Sequence, residues 1–325
     1  MKRIIIMALG VLLSLIVLRE RDIDQERTGL MRVLKLQRRS VLLLASMALA
    51  FLLALAFLLA SGTAVHAANT SVFSVQCLST HQLADDPIVN PGVPGAAHLH
   101  EFIGNPSTNA FSTFDSMRAA QGRVRCDTQS DTGGYWVPAL YKQDGTRVPV
   151  LHSFFYYRGP AGVKQIPPGL KMVAGGDTLN PPKPTEHAKS LSWSCEDSGP
   201  FFAQPPDCTS IGKPIKAHIQ FPNCWDGVNL DSPDHRSHMA YWTSAKTCPP
   251  SHPVRIPRIR FNVAFNIKNG KGTYLSSDHG VPGGTSMHAD FWNTWDQAVL
   301  QQAVTKCING NKDCTRLKDN DPRLQ

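Results

Sequence analysis

The sequence has no C-x-x-C pair, no G-x-S-x-G turn, no internal repeat and, beyond its first seventy residues, no run of basic residues. Each absence removes a class of protein. Without a C-x-x-C pair the cysteines do not read as a structural zinc site. Without the G-x-S-x-G elbow, Ser232 and Ser237 lack the turn that exposes a hydrolase nucleophile, although they sit among acids and histidines. The formal charge of +8 is concentrated near the N-terminus: from Asn69 onward there are 24 Lys/Arg against 21 Asp/Glu, a net of +3. A chain so nearly balanced, with no basic stripe, is not expected to bind nucleic acid. No Ser/Gly or Pro/Thr linker divides the roughly 257 residues after position 68, so one domain with a sizeable core is expected.

What the first seventy residues do have is apolar length. Ile4 to Leu18 and Val41 to Ala60 are both apolar, separated by a mixed-charge stretch. Arg32, Lys35, Arg38 and Arg39 precede the second run, and small residues at Val65 and Ala67 follow it. This is the layout of a secretory leader, with cleavage expected after Ala67 or one residue later. Residues 1–67 are read as that leader. Translation from Met31 would give a conventional one of 37 residues. The rival reading is a membrane anchor, since Val41 to Ala60 holds about 20 apolar residues, enough to span a bilayer. The expected location is extracellular, or anchored to the outer face of the cytoplasmic membrane, with membrane contact only through an uncleaved N-terminal segment.

All eight cysteines lie after this leader: Cys77, Cys126, Cys195, Cys208, Cys224, Cys248, Cys307 and Cys314. An even number in an exported chain implies up to four disulfides. Cys307 with Cys314 and Cys195 with Cys208 are candidates for local loops; the remaining pairing is open.

Helical periodicity is confined to Asn293–Cys307, where Trp295, Val299, Leu300, Val304 and Cys307 recur at helical spacing, and to a short candidate at Asn109–Arg118. Asn293 or Thr294 is the expected cap of the former. The rest is short β-rich runs cut by Pro and Gly: 135–141, 152–157, 171–174, 217–221 and 258–265. The expected fold is mainly β, a single disulfide-stapled sandwich or jelly roll with long loops, few short helices and a C-terminal helix over 69–308. The polar tail 309–325 is expected to fray beyond Cys314.

Three segments concentrate the side chains that do chemistry. In 91–102, His98 and His100 form an H-x-H pair, which on a strand points both imidazoles to one side, beside Glu101. In 221–241, Asp226, Asp231, Asp234, His235 and His238 crowd together between Trp225 and Tyr241. Carboxylates and imidazoles held close can divide acid and base roles or ligate a divalent ion. They can equally cap turns and satisfy backbone groups. In 287–296, His288 and Asp290 stand two apart beside Trp292. Acid, base or nucleophile roles are assigned to Asp226, Asp231, Asp234, His235, His238, His288 and Asp290. Substrate contacts are assigned to His98, His100, Glu101, Trp225, Tyr241 and Trp292. A divalent metal would take His98, His100, His235 or His238.

The strings DPIVNPGVPGAAHLHEFIGN, YWVPALY, PPGLKMVAGG, IQFPNCWDGVNLDSPDHRSHMAY, CPPSHPVRIPRI and HADFWNTWD, in this order, resemble the domain-of-unknown-function 1996 family from about Phe73 to Cys307. The resemblance implies an extracellular domain of the kind found in secreted proteins of fungi and bacteria, sometimes joined to wall-binding modules. It implies no particular reaction. From the residues, the leading expectation is a secreted glycan-active enzyme, a polysaccharide hydrolase or lyase using paired carboxylates. The alternatives are a non-catalytic carbohydrate- or wall-binding module and a metal-dependent extracellular enzyme. An extracellular polysaccharide is the expected partner. A histidine brace is not expected, because the expected mature N-terminus is Ala68 or Asn69 and not His.

Overall fold

The computed structural model describes residues 71–176, 190–278, 283–284 and 286–325, within a compact unit spanning Ala67–Gln325. The expected leader, its cleavage site and the apolar run at 41–60 lie outside the described residues. Among the described residues no helix is long and apolar enough to cross a membrane.

The β-rich runs become two main sheets. The larger has seven strands, in the order Phe201–Phe202, Leu191–Ser194, Lys216–Gln220, Arg258–Phe265, Val150–Arg158, Val72–Cys77 and Asp313–Cys314. The smaller has five, in the order Ser79–Leu83, His100–Gly104, Gly134–Pro138, His288–Trp292 and Lys171–Gly175. Alternation along the strands sends Phe155, Tyr157, Phe261 and Val263 of the first sheet, and Tyr135, Val137, Met172, Ala289 and Phe291 of the second, into one common core. Tyr135 stacks on Phe155 with ring centroids 3.9 Å apart, joining the two layers. The architecture is therefore a β-sandwich.

Outward alternation on the five-stranded sheet does something less usual. Phe102, Trp136, Val173 and Trp292 form a second apolar cluster with Ile88 and Met117, because the segments on either side of the His100–Gly104 strand, 84–99 and 105–118, fold over that face. His100, His288 and Asp290 share the outward face with this cluster, and they are buried by the same cover.

Four disulfides form: Cys77–Cys126, Cys195–Cys208, Cys224–Cys248 and Cys307–Cys314. No free cysteine is left among the described residues. Four bridges suit an oxidising compartment.

Two local expectations need correction. The C-terminal helix starts at Gln297 rather than Asn293 and is capped by Asp296, whose side chain accepts from Ala298 N and Val299 N; past Ala303 it continues as a π-helix over Val304–Asn309, so Val304 and Cys307 are helical as expected. Asn293 and Thr294 do not cap it. They are buried, and bond instead to the Ile166 and Pro167 carbonyls and to Thr132. The other helix is limited to Phe114–Arg118, with Thr113 as its cap. The tail does not fray beyond Cys314. Asp313–Cys314 pairs in parallel with Val72–Phe73, and Leu317 and Leu324 are buried in the core. Two leucines in a polar tail are enough to dock it.

Candidate functional site

The first and third of the chemically dense segments meet. His100 opens one strand of the smaller sheet and His288 opens another, and both point from the outer face of that sheet. His98 stands just before the first strand. The three residues bring one ring nitrogen each within 4.8 Å of one another.

The protonation of two of these rings is fixed by their neighbours. His100 Nδ1 lies 2.9 Å from the Asp85 carbonyl, and His288 Nδ1 lies 2.9 Å from the Ser286 carbonyl. A carbonyl only accepts, so each Nδ1 carries the proton and donates it. In the neutral ring each Nε2 is then a bare lone pair, and these two atoms face each other at 3.4 Å. Adding a proton there is opposed by burial. It lowers His100 to about 3 and His288 to about 4, and each is lowered further by a neighbouring imidazole, His98 and His100 respectively.

Two carboxylates complete the cluster. One oxygen each of Asp86 and Asp290 lies within 4.8 Å of the other and of a His100 nitrogen. That is tighter than the roughly 5–5.5 Å of a retaining glycosidase pair. Asp86 accepts from the backbone N–H of Ile88 and Val89 through Oδ1. Asp290 is buried, and neither of its oxygens has a hydrogen-bond partner among the described residues. Burial, and then the like charge of Asp86, push its pKa well above the ordinary carboxylate range, with Arg236 opposing. These groups border a pocket of about 200 Å³ lined by Asp86, Asn90, His98, Arg236, His288 and Asp290, among others.

The geometry at Gly175 makes room for His288. Gly175 pairs with His288 across the sheet edge and sits at φ +87°. A Cβ there would lie 2.3 Å from the Met287 carbonyl and 2.8 Å from the His288 Cα. Its own carbonyl receives an N–H from Arg236 at 2.5 Å, which holds that guanidinium at the pocket.

The second segment contributes Arg236 to the pocket and little else. Asp226 folds its loop, accepting from Val228 N, Asn229 N and Asn229 Nδ2. Asp234 accepts from Ser232, Ser237 and the Arg236 backbone, bonds that hold it far below the usual carboxylate range. Asp231 pairs with Lys171 at 3.3 Å and with His235 Nδ1 at 2.9 Å. His238 donates Nε2–H to the Lys171 carbonyl and meets Ser232 Oγ with Nδ1, so both of its nitrogens are engaged. None of these five lines the pocket. Among the described residues neither His235 nor His238 belongs to a group of side chains close enough to share a metal ion, whereas His288 and Asp290 do.

The expected substrate contacts scatter too. Glu101 points to the opposite side of its strand from His100, bound to Arg147, Ser79 and Gln82. Trp225 Nε1 donates to the Asn229 carbonyl, and Tyr241 donates to the Gln220 carbonyl. Trp292 belongs to the outer apolar cluster, with Lys171 Nζ 4.7 Å from its ring centre. Arg236 lies inside the 221–241 segment without a signal of its own, and Asp86 lies outside all three dense segments, five residues before 91–102.

A second His-centred chain lies on the larger sheet: Ser194 Oγ is 2.6 Å from His218 Nε2, and His218 Nδ1 donates to Asn262 Oδ1 at 2.7 Å. It has the order of a nucleophile–base–orienter array. Ser194 is fully buried, however, and its hydroxyl also faces the Glu196 carbonyl at 2.5 Å, so the chain is closed to substrate.

Compared with known families, residues 86–295 match the model of a domain of unknown function, DUF1996. This range begins at Asp86 and ends just beyond Asp290, so it encloses every residue of the pocket. No curated protein and no solved structure matches the chain.

Proposed function

We propose that this chain, which belongs to the DUF1996 family, is an exported metal-dependent enzyme that hydrolyses an extracellular polysaccharide. One observation carries the reading: the His100 and His288 Nε2 atoms face each other at 3.4 Å, with His98 beside them. Two nitrogens each about 2.0–2.1 Å from a tetrahedral zinc ion are themselves about 3.3–3.4 Å apart. The carbonyls behind each Nδ1 are the outer partners that orient metal-binding imidazoles.

Three neutral imidazoles with a nearby carboxylate form the donor set of a hydrolytic divalent site with an open position. The bound ion would polarise the bond to be cleaved and lower the pKa of a water molecule. Asp290 is placed to exchange a proton at that position, since no protein group holds its oxygens. Arg236, on the pocket rim, orients an anionic or hydroxyl-rich substrate. The leader and the four disulfides support export, and the abundance of polysaccharide outside cells supports the substrate class. In this reading metal assistance at 86, 98, 100, 288 and 290 takes the place of the two-carboxylate mechanism expected of a pair among Asp226, Asp231, Asp234 and Asp290.

The test is metal content followed by turnover. Protein prepared without chelator and supplied with Zn²⁺, Mn²⁺ or Cu²⁺ should hold close to one ion per chain by mass spectrometry. A polysaccharide panel read by reducing ends should show activity that EDTA removes and the metal restores. Failure to retain any of the three ions at micromolar concentration would sink the proposal.

A further inference from the structure

We infer that the outer face of the seven-stranded sheet is a second binding surface, one that anchors an acidic polysaccharide. It lies across the sandwich from the metal pocket and goes beyond the reading above.

The argument begins with a pairing that costs stability. Arg258 and Arg158 are directly opposite each other on neighbouring antiparallel strands, and Arg260 follows two residues on, opposite Tyr156. Like charges in directly opposed positions destabilise a sheet. No carboxylate among the described residues comes within 4.0 Å of any of the three guanidiniums. Asp197 acts on Arg260 only at longer range, and its short contacts are to Lys216 and Asn262. Burial and then the neighbouring guanidiniums pull Arg258 below its usual value, a sign of uncompensated charge.

Each guanidinium is also held in place. Arg158 lies over Tyr156 at 5.1 Å, Arg258 over Trp242 at 4.8 Å and Arg260 over Phe201 at 5.1 Å. Three cations parked on three rings have less side-chain freedom left to lose on binding. Phe201 itself is 48% exposed at the sheet edge, and Phe154 and Tyr156 continue the aromatic row between the two sides. The result is a flat surface that alternates fixed guanidiniums with ring faces. Guanidinium forks match carboxylates, and aromatic rings match the apolar faces of pyranoses.

The segments outside the described residues are not net acidic: the 68 residues before Asn69 carry nine Lys/Arg against four Asp/Glu, and 177–189 carry two of each. The occupant assigned to this surface is a separate polyanion, a uronate-bearing polysaccharide.

The experiment is affinity electrophoresis of the purified protein through gels containing polygalacturonate, fully methyl-esterified pectin or amylose. Retardation is expected only with polygalacturonate, and it should weaken steeply with salt. The variant R158Q/R258Q/R260Q should lose at least tenfold in affinity. Its melting temperature should be unchanged or higher, because the opposed charges are gone. The single variant R258Q should show the same trends more weakly. EDTA treatment should leave retardation intact, which separates this surface from the metal pocket. Undiminished binding by the triple variant would overturn the inference. So would equal retardation by neutral amylose, or stronger binding to single-stranded DNA or anionic lipid vesicles than to polygalacturonate.

Discussion

His100 and His288 are 188 residues apart in sequence, yet their Nε2 atoms meet at 3.4 Å while each Nδ1 is tied to a backbone carbonyl. Neutral and so oriented, the pair has two converging lone pairs and no hydrogen between them. A divalent ion that binds the folded protein and not the unfolded chain stabilises it by about 2.7 kcal/mol at a hundredfold excess over Kd. The wild-type protein should therefore melt several degrees higher with Zn²⁺ than with EDTA. H288A and H100A should show no such difference, whatever their own melting temperatures. Differential scanning calorimetry with and without metal reads this directly, and an equal zinc response in H288A would remove His288 from the ligand set.

Gly175 gives the same site a purely steric test. Its φ is +87°, and a Cβ at this position would stand 2.3 Å from the Met287 carbonyl, which leaves no room for a side chain. G175A should cost about 2–3 kcal/mol through backbone strain and overpacking. The displacement falls on the strand carrying His288 and Asp290, so metal affinity should drop with stability. Stability measured by urea unfolding without metal, and zinc titration below the unfolding range, separate the two effects. An alanine variant of wild-type stability and affinity would show that this edge of the sheet has slack.

The carboxylates divide into turn-formers and a pocket group, and substitution should separate them. D234N keeps the one oxygen that accepts all of its loop bonds, and D226N keeps the oxygen for the Val228 and Asn229 backbone bonds while losing the Asn229 side-chain bond. They should retain activity within about threefold, with stability losses of about 1 kcal/mol or less. D290N removes the titratable proton from a buried carboxyl whose oxygens no protein group holds. It should lower turnover by at least a hundredfold while leaving the fold intact, since burial and Asp86 already favour the neutral form at this position. Reducing-end assays and circular dichroism on the three variants decide it. A dead D234N beside an active D290N would return the chemistry to the 226–238 loop.

The runs at 135–141, 152–157, 171–174, 217–221 and 258–265 and the two short-range disulfides, Cys195–Cys208 and Cys307–Cys314, are legible in the sequence because they depend on local pattern, whereas the strands at 100–104 and 288–292 and the bridges Cys77–Cys126 and Cys224–Cys248 are not. The 258–265 run alternates as a half-buried strand must, and it folds as Arg258–Phe265. The H-x-H and H-x-D pairs are legible as residue types, but not their placement: His98 stands just before the His100–Gly104 strand, and His288 and Asp290, read as lying ahead of the C-terminal helix, share one face of the strand His288–Trp292. What local pattern does not reveal is which segments cross to the same strand neighbourhood. The densest polar run, 226–238, carries the strongest sequence signal, yet its side chains bond one another and hold a loop. Asp86 is obscured by its role in a turn, and Arg236 by its place among acids. Their approach to His288 depends on how the 84–99 segment and the 221–241 loop fold over the smaller sheet, which is a long-range matter. Tail docking leaves no sequence signal because two leucines are too few to register as a periodic element.

Asp131 gives a pH test independent of the pocket. It is fully buried in the core network, accepting from Gly133 N at 3.1 Å and from Tyr135 Oη at 2.8 Å. Burial raises its pKa to about 8, against the bonds from Tyr135 and Gly133, which lower it. In the unfolded chain an aspartate titrates near pH 4, or about 3.9. Between these values the folded protein holds a proton that the unfolded chain releases, so stability falls as pH rises from about 4 to about 8 and levels off above that. The slope for one group approaches about 1.4 kcal/mol per pH unit at its steepest. The buried imidazoles His100, His218 and His288 act in the opposite direction, weakening the fold as pH drops below about 6.5, the ordinary histidine value. Their contribution cancels when wild type is compared with D131N, which cannot titrate but keeps an accepting oxygen for Gly133 and Tyr135. Guanidinium unfolding of both proteins at pH 5, 7 and 9 should show the wild type losing stability relative to D131N across the series. A constant difference between the two would mean that Asp131 is ionised throughout, with its charge held by the Tyr135 and Gly133 bonds.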